Sequence, residues 1–374
     1  MRTHSRTRGG VLAAGAVWLV LAAGCGQPGP GGRMGTVVVA DDGRSFRIAE
    51  THRPFVPWGF NYDHDAAGRL IEDYWQQEWA TVEGDFREMR ELGANVVRVH
   101  LQVGKFMLGP AEANPAALER LGKLLDLAER ERLYLDLTGL GCYHKKDVPA
   151  WYDRLDERGR WAVQAAFWEA IARRCAGRTC VFCYDLMNEP VVPGGDGQRD
   201  DWLGPAFAGK HFVQFIALAR AGRSRPAVAL AWVRRLKAAI RKHDRRGLIT
   251  VGLVPWSLDR PGLTSGFVPA TIAPELDFVS VHLYPERGKL DEAMATLRGF
   301  AVAKPVVIEE TFPLKCGAEE LATFIERSRE TACGWIGFYW GKTPREYRPP
   351  KTIGEAMTLG WLDLFRKTGP RIKR

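Results

Sequence analysis

The segment Val181-Phe-Cys-Tyr-Asp-Leu-Met-Asn188-Glu189-Pro190 gives the first indication of the fold. It begins as an apolar run of strand length and ends with an amide and a carboxylate directly before a proline. Such a run predicts a strand buried on both faces, which is typical of a parallel sheet covered by helices. A carboxylate beside a buried strand must be desolvated at a cost, so Glu189 requires either bonding partners or a chemical function.

Similar apolar runs occur along most of the chain and alternate with amphipathic segments. The predicted strands are residues 55–60, 95–100, 133–138, 181–186, 248–253, 277–282, 305–309 and 334–340. The predicted helices are residues 81–92, 115–130, 160–175, 227–243, 290–300, 318–331 and 354–366. Between the fifth and sixth predicted strands, where a fifth helix would be expected, residues 257–274 have mostly the composition of a loop. Eight strands alternating with helices predict an α/β fold, a (β/α)₈ TIM barrel.

Two features depart from a minimal barrel. An Asp-Gly turn at residues 41–44 lies between two short alternating segments, which predicts a β-hairpin before the barrel that closes its bottom. A long loop, residues 191–226, follows the fourth predicted strand and carries several aromatic residues. Loops of this length at the carboxyl ends of strands usually shape a substrate cleft, although the same aromatics also suit a small satellite core.

The first 35 residues have the composition of a targeting segment. Arg-rich residues 1–8 precede an apolar run, 11–23, that is too short to span a bilayer and ends in small residues before Cys25. The interpretation is a lipoprotein-type signal peptide over residues 1–24, with Cys25 lipidated; a plain signal peptide is the alternative. Residues 25–35 are rich in Gly and Pro and predict a flexible tether to a domain spanning 36–374. We therefore expect an exported protein that contacts the membrane only through a lipid anchor.

Composition and charge exclude several other functions. The net charge of +9 is concentrated in the leader and the C-terminal tail, and no basic helix or stripe suggests a nucleic-acid partner. The spacing of Cys175, Cys180 and Cys183 superficially suits a metal, but small core residues or a disulfide are the preferred interpretation. There is no Gly-rich phosphate loop and no His-Glu-x-x-His pattern, so no cofactor or metal is expected.

The Asn188-Glu189-Pro190 tripeptide resembles the acid/base motif of clan A glycoside hydrolases, particularly the cellulase-like family 5. This resemblance implies that Glu189 is the acid/base and that Asn188 binds the sugar 2-hydroxyl. The seventh predicted strand, Lys304-Pro-Val-Val-Ile-Glu309-Glu310, is similar to the family pattern of Lys-Pro, three apolar residues, a small residue and the nucleophilic Glu. Counting along that pattern implies that Glu310 is the nucleophile, with Glu309 as the alternative.

The resemblance extends to other predicted strands. It implies that Arg98 keeps the nucleophile ionised, that Tyr284 donates to it and that His282 lines the site. It also implies a sugar-stacking Trp340, with Tyr339 as the alternative, and a supporting Asn61 at the end of the first strand. The third strand departs from the family, because its usual His is absent or displaced to His144.

The expected function is retaining hydrolysis of O-glycosidic bonds in a β-glucan or β-mannan type of saccharide by double displacement. Such chemistry requires two carboxyl groups roughly 5–5.5 Å apart, and opposite strands of a narrow barrel can supply them. A carbohydrate is then the partner, which agrees with the 13 Trp residues. Two alternatives remain open at this point: a catalytically silent, surface glycan-binding lipoprotein and a transglycosylase.

Overall fold

The computed structural model describes residues 1, 33–195, 197–260 and 263–373. Residues 2–32, which include most of the predicted signal peptide and tether as well as Cys25, lie outside the described residues, so those assignments stay predictions. The compact unit Met34–Arg374 contains all the helices and strands given below.

Eight parallel strands form one closed barrel in which each strand pairs with its neighbours in the chain and the last pairs with the first. This confirms the predicted (β/α)₈ TIM barrel. The barrel strands are β1 (Trp58–Tyr62), β2 (Val96–Gln102), β3 (Tyr134–Gly141), β4 (Val181–Asn188), β5 (Leu248–Leu253), β6 (Val279–His282), β7 (Val306–Glu310) and β8 (Gly334–Phe338).

One helix follows each barrel strand and packs outside it. These are α1 (Trp79–Glu91), α2 (Pro115–Glu131), α3 (Glu157–Cys175), α4 (Arg225–Arg241), α5 (Pro269–Ile272), α6 (Leu290–Arg298), α7 (Ala318–Ser328) and α8 (Ile353–Ile372). Side-chain caps from Asn114, Asp156, Ser224 and Thr352 begin four of them. As expected from its loop-like composition, the described residues of the segment after β5 contain one α-helical turn, α5, together with short 3₁₀ turns.

The shorter elements lie in the connections. They are the helical turns Ile71–Tyr74, Val103–Phe106 and Ala150–Asp153, the 3₁₀ turns Lys145–Asp147, Pro255–Ser257 and Ala273–Glu275, and the two-stranded pairs Met107–Gly109 with Glu112–Ala113 and Pro190–Val191 with Gln214–Phe215. In the described part of the chain, no helix has the length and apolarity needed to cross a bilayer.

The predicted N-terminal hairpin is present and gains a third strand. Val37–Val39 pairs with Phe46–Ile48, which in turn pairs with Pro54–Phe55. The first predicted strand was therefore too long at its start, because Pro57 separates Phe55 from β1. The ring of Phe46 packs edge-on, at 5.3 Å between centroids, against Phe182 at the start of β4 and Phe278 just before β6. The hairpin thus closes the amino-terminal end of the barrel and leaves the opposite end open for a site.

The barrel strands are not regular at their carboxyl ends. Along the β6–β7 pair the partners are Val281 with Ile308 and then His282 with Glu310, so β7 contains one extra residue, Glu309. A similar shift occurs in β4 opposite Thr250 and Gly252. In a regular strand successive side chains face opposite sides, but at a bulge two consecutive side chains can face the same side. These shifts therefore decide which side chains face the barrel interior.

Candidate active site

A pocket of about 350 Å³ lies at the carboxyl ends of the strands and is lined by both Glu189 and Glu310. This volume is at the low end of the roughly 300–1,000 Å³ found for small-molecule sites. An oxygen of each glutamate lies within 4.8 Å of the other and of His282. The two strand-end carboxylates that the sequence singled out are therefore neighbours in one cavity.

The two consecutive glutamates of β7 have different environments. Glu310 lines the pocket, where Tyr284 donates a hydrogen bond of 2.7 Å to its Oε2 and Arg98 donates one of 2.6 Å to its Oε1. Glu309 is fully buried in the barrel interior and does not line the pocket. The bulge in β7 turns both side chains inward, because in a regular strand one of them would face the helices.

Arg98 is the central cation of the barrel interior. Its Nη1 donates to Asn61 at 2.9 Å as well as to Glu310, and its Nη2 donates to Asp185 at 2.7 Å and Asn188 at 3.0 Å. Burial alone would lower the pKa of Arg98, but the carboxylates around it raise this pKa well above its ordinary range. The planar guanidinium can bond in several directions at once, so it fixes the ends of four strands relative to one another.

His282 lies between the two pocket glutamates. Its Nδ1 is 3.0 Å from Oε1 of Glu189 and 3.5 Å from Oε2 of Glu310. Burial opposes the charged ring, yet Glu310 and the contacts with Glu189 and Glu309 raise the pKa of His282 to about 10. The ring is therefore an imidazolium at neutral pH. A Cβ at Gly252 would lie 2.9 Å from Nε2 of His282, so a glycine is required there for the ring to fit.

Beneath the pocket, Glu309 faces Asp136 on β3, and neither side chain contacts solvent. Oε2 of Glu309 lies 3.6 Å from Arg98 and 3.5 Å from Nε2 of His282. Burial would raise the pKa of Glu309, but Arg98 and His282 lower it to about 2. Burial and the charge of Glu309 raise the pKa of Asp136 well above its usual range. The two buried carboxyl groups are thus shifted in opposite directions, Glu309 toward the ionised form and Asp136 toward the protonated form.

The backbone at Glu189 is strained. Its φ is +46°, in the left-handed region that residues other than glycine seldom adopt. Its amide donates 3.0 Å to the carbonyl oxygen of Gly252, and its own carbonyl accepts from Gln214 at 3.4 Å. Such a conformation costs about 1–3 kcal/mol and persists where surrounding contacts enforce it, commonly at functional sites.

The remaining residues named from the sequence fall into two groups. Tyr284 and Trp340 line the pocket with the glutamates. Asn61 and Asn188 lie deeper: Asn61 donates to the carbonyl oxygens of Glu309 and Gly337, and Asn188 donates to that of Phe212 at 3.1 Å. These two asparagines hold Arg98 and the strand ends.

Two residues that the sequence offered as alternatives, Tyr339 and His144, lie outside the pocket. Tyr339 is buried at 3.4 Å from Asp85, outside the pocket, whereas Trp340 lines it. His144 does not line the pocket either. The third strand instead contributes Tyr143, whose hydroxyl bonds Nδ1 of His100, and His100 lines the pocket.

Several pocket residues were missed from the sequence. Asp63 and His100 lie two residues after Asn61 and Arg98, so the period of two in a strand was a usable signal for them. His64, Lys210 and Phe312 come from loops, where no such period applies. The loop after β4 contributes Phe207 and Phe212 to the pocket, while its Trp202 is buried under Arg160 at 4.5 Å. Both interpretations of that loop are therefore correct for different residues.

Two clusters of three acidic or histidine side chains have the spacing of a metal site: Glu189 with His282 and Glu310, and Asp136 with Asp185 and Glu309. In the first, Nδ1 of His282 lies 3.0 Å from Glu189 and 3.5 Å from Glu310. In the second, Asp185 accepts from Arg98, from Thr138 at 2.8 Å and from the amide of Gly252 at 2.7 Å. Asp185 is thus engaged in hydrogen bonds, whereas the side-chain oxygens of Asp136 and Glu309 have no hydrogen-bond partner among the described residues.

The six described cysteines, Cys142, Cys175, Cys180, Cys183, Cys316 and Cys333, are free thiols. Burial raises the pKa of Cys142 and Cys316 to about 11, so they remain protonated. The preferred interpretation of the cysteines as small core residues agrees with this.

Comparisons with solved structures agree on the fold. An exo-β-1,4-mannosidase from Opitutaceae bacterium strain TAV5 is 18% identical, with a TM-score of 0.66, over 90% of this chain. The match spans 63% of that protein's length. A β-1,4-mannanase from the sea hare Aplysia kurodai is 14% identical, with a TM-score of 0.60, over 90% of this chain and 96% of its own. A β-glucanase from Saccharophagus degradans is 17% identical, with a TM-score of 0.59, over 91% of this chain and 94% of its own.

Membership of a family rests on the sequence of the barrel itself. The family described as cellulase (glycosyl hydrolase family 5) matches residues 52–341, which extend from just before β1 to just beyond β8. The chain therefore belongs to glycosyl hydrolase family 5 and is a glycoside hydrolase with a carbohydrate substrate.

Proposed function

We propose that this enzyme is a retaining β-glycosidase in which Glu310 is the nucleophile and Glu189 is the acid/base. The observation that carries this proposal is the short separation of the two pocket carboxylates, with oxygens within 4.8 Å of each other. Retaining glycosidases have carboxyl groups about 5–5.5 Å apart, whereas inverting enzymes need about 6.5–9.5 Å to admit a water.

The surroundings of Glu310 suit a nucleophile. Arg98 and Tyr284 each donate to one of its oxygens, which orients the carboxylate toward the pocket. Glu309 is the less suitable candidate because it is fully buried beneath the pocket, where a sugar cannot reach it. The residue pattern and the environment thus support the same choice.

The reaction proceeds in two displacements. Glu310 attacks the anomeric carbon, the bond from that carbon to the leaving oxygen breaks, and Glu189 gives its proton to that oxygen. Water then attacks the anomeric carbon of the glycosyl-enzyme, Glu189 takes a proton from the water, and Glu310 leaves with its electron pair restored. The product is a hemiacetal with the original anomeric configuration.

The substrate in this proposal is a β-linked gluco- or manno-configured saccharide. The mannosidase, mannanase and glucanase named above share the fold, which supports this class as a starting point. Trp340 offers an aromatic face in the pocket for the apolar side of a pyranose. Export and lipid attachment through Cys25 are part of the same proposal, because they would bring the enzyme to saccharides outside the cell.

The test is covalent trapping with 2-deoxy-2-fluoro-β-glucosyl and β-mannosyl fluorides, followed by peptide mass spectrometry. We expect a label on Glu310 in the wild type and in Glu309→Gln, and no label in Glu310→Gln. Proton NMR of the first-formed product should show retention. A label located on Glu309, or inversion at the anomeric carbon, would overturn the proposal.

A further inference from the structure

The loop after β4 carries a tight hairpin that lies over the barrel mouth. Phe207 and Lys210 pair across its turn, and the intervening Ala208 and Gly209 have φ values of +48° and +79°. Two left-handed residues are typical of the tight type I′ hairpin turn. The next residue, His211, donates its amide to the carbonyl oxygen of Tyr143 at 2.9 Å, which fixes the hairpin to the segment after β3.

Lys210 extends from this hairpin to the loop after β1. Its Nζ lies 3.4 Å from the position that a Cβ on Gly68 would occupy. In the barrel, β1 and β4 are separated by β2 and β3. A contact between the loops of β1 and β4 therefore covers the pocket above the two strands between them.

The pocket is also bounded on the side of β8. The rings of His64 and Trp340 stack at 5.6 Å with an angle of 5°. They line the pocket on one side and, on the other, a second cavity of about 440 Å³, together with Phe312 and Leu314. These four residues lie between the two cavities.

Two charged side chains at the covered end of the pocket have charged atoms without a hydrogen-bond partner among the described residues. Lys210 is 5% exposed, and among the described residues its ammonium has no hydrogen-bond acceptor and no carboxylate within 4.0 Å. Asp63 is 4% exposed, its Oδ1 has no hydrogen-bond donor, and its Oδ2 lies 3.7 Å from His64. Leaving the buried Oδ1 of Asp63 without a donor is costly unless a ligand satisfies it, and the ammonium of Lys210 is a second polar group available to such a ligand.

A pair of sugar hydroxyl groups meets both requirements, since a hydroxyl donates to a carboxylate and accepts from an ammonium. A substrate with a charged acidic group suits the pocket less well, because Asp63, Glu189 and Glu310 all line it. The chemistry therefore favours a neutral sugar.

We infer that the enzyme removes single neutral sugars from the non-reducing end, with Asp63 and Lys210 binding hydroxyls of that terminal sugar. This rests on the proposed retaining function. The covered end leaves no path for a further sugar beyond the glycone, and the rest of the chain leaves through the open mouth. Lys210 and Asp63 are then specificity-determining residues of an exo-acting glycosidase.

Product patterns test the mode of action. Gluco- and manno-oligosaccharides of three to six units, and the same compounds with the terminal 4- and 6-hydroxyls blocked as an acetal, are each incubated with the enzyme. We expect monosaccharide as the first product from the free compounds and no cleavage of the blocked ones. Internal cleavage of blocked compounds would overturn the inference while leaving the retaining function intact. If the enzyme cleaves neither the free nor the blocked oligosaccharides, and no aryl glycoside either, the proposed function is overturned and this inference with it.

The role of Lys210 is tested with Lys210→Met, which keeps the length of the side chain and removes the charge. We expect kcat/KM on oligosaccharides to fall about 10- to 100-fold, the loss typical of a hydrogen bond to a charged group. Removing the terminal hydroxyl that Lys210 binds should lower kcat/KM of the wild type. The same deoxy substrate should cause no further loss of kcat/KM in Lys210→Met, because that variant already lacks the contact. Lys315→Met is the matched control, since Lys315 is exposed and pairs with Glu286. If the deoxy substrate lowers kcat/KM by the same factor in the wild type and in Lys210→Met, the contact between Lys210 and the hydroxyl is contradicted.

Discussion

Oε2 of Glu309 lies 3.5 Å from Nε2 of His282, while Nδ1 of the same ring faces Glu189 and Glu310. The imidazolium thus has an anion on each of its two nitrogens. Glu309 does not line the pocket, yet it can in this way influence the charge of His282, which lies between the two pocket carboxylates. Glu309 is a positioning residue in this view, and its effect should be visible in pH dependence.

Glu309→Gln should lower the pKa of His282 from about 10, because it removes the anion beside Nε2, so the ring loses its proton at a lower pH. The measurement is the ring titration of His282 followed by NMR up to about pH 11. Asp136→Asn is the control: it leaves the anion of Glu309 beside Nε2 in place, so the titration of His282 should change less. Equal shifts in both variants would argue against this role.

The stability of the enzyme should depend on the charge of His282. The pKa of this ring is about 10 in the folded protein against an ordinary value of 6.5, so its stabilisation is complete below about pH 6.5 and is lost as the pH rises toward 10. Urea unfolding at several pH values, for wild type and His282→Gln, measures this. The difference in unfolding free energy between the wild type and His282→Gln should become smaller as the pH rises. A difference that does not change with pH would show that the ring is not charged in the folded state.

Replacing Arg98 should destabilise the fold as well as the site. Arg98→Met leaves Asp185 and Glu310 without their cation inside the barrel, which typically costs about 3–5 kcal/mol. Arg130→Met is the matched control, because Arg130 is 55% exposed and its pair with Glu83 should contribute at most about 1 kcal/mol. Denaturant unfolding compares the two. Similar losses would mean that the buried ion pairs do not stabilise the barrel.

Glu189→Ala should discriminate between leaving groups. The acid matters when the departing oxygen is basic, so activity on natural β-linked saccharides should fall about 10²- to 10⁴-fold. Activity on a dinitrophenyl glycoside, which needs no protonation to depart, should be largely retained in the first step. Steady-state and burst kinetics on both substrates provide the comparison. If both substrates lose activity equally at the first step, Glu189 does not act as the acid.

Cys25→Ser should release the protein from membranes if the N-terminal segment is a lipoprotein signal. The thiol is the attachment site for the lipid, and a hydroxyl does not replace it. Fractionation of cells expressing the full chain, with Cys333→Ser as the control for an unrelated thiol, measures the effect. Unchanged membrane association of Cys25→Ser would exclude the lipid anchor.

Much of the architecture could be predicted from local patterns. Each barrel strand after the first was placed within a few residues because its apolar run is bounded by polar or helix-ending residues. β1 was placed less well, because Pro57 divides an apolar stretch that looks continuous. β3 continues to Gly141, three residues past its predicted end at Thr138, since Gly139 and Leu140 carry no signal of a stop.

By itself, the sequence determined that this is a (β/α)₈ glycoside hydrolase of family 5 with glutamates at the ends of two strands, because periodicity and short motifs are local and survive without a structure. Only the tertiary structure decided which of the consecutive glutamates of β7 lies in the pocket, since a one-residue bulge, set by pairing with β6, turns both side chains inward where simple alternation would face one of them outward. It also decided that Asp63 and Lys210 line the same cavity. Those residues lie far apart in the chain, and only barrel closure brings their loops together.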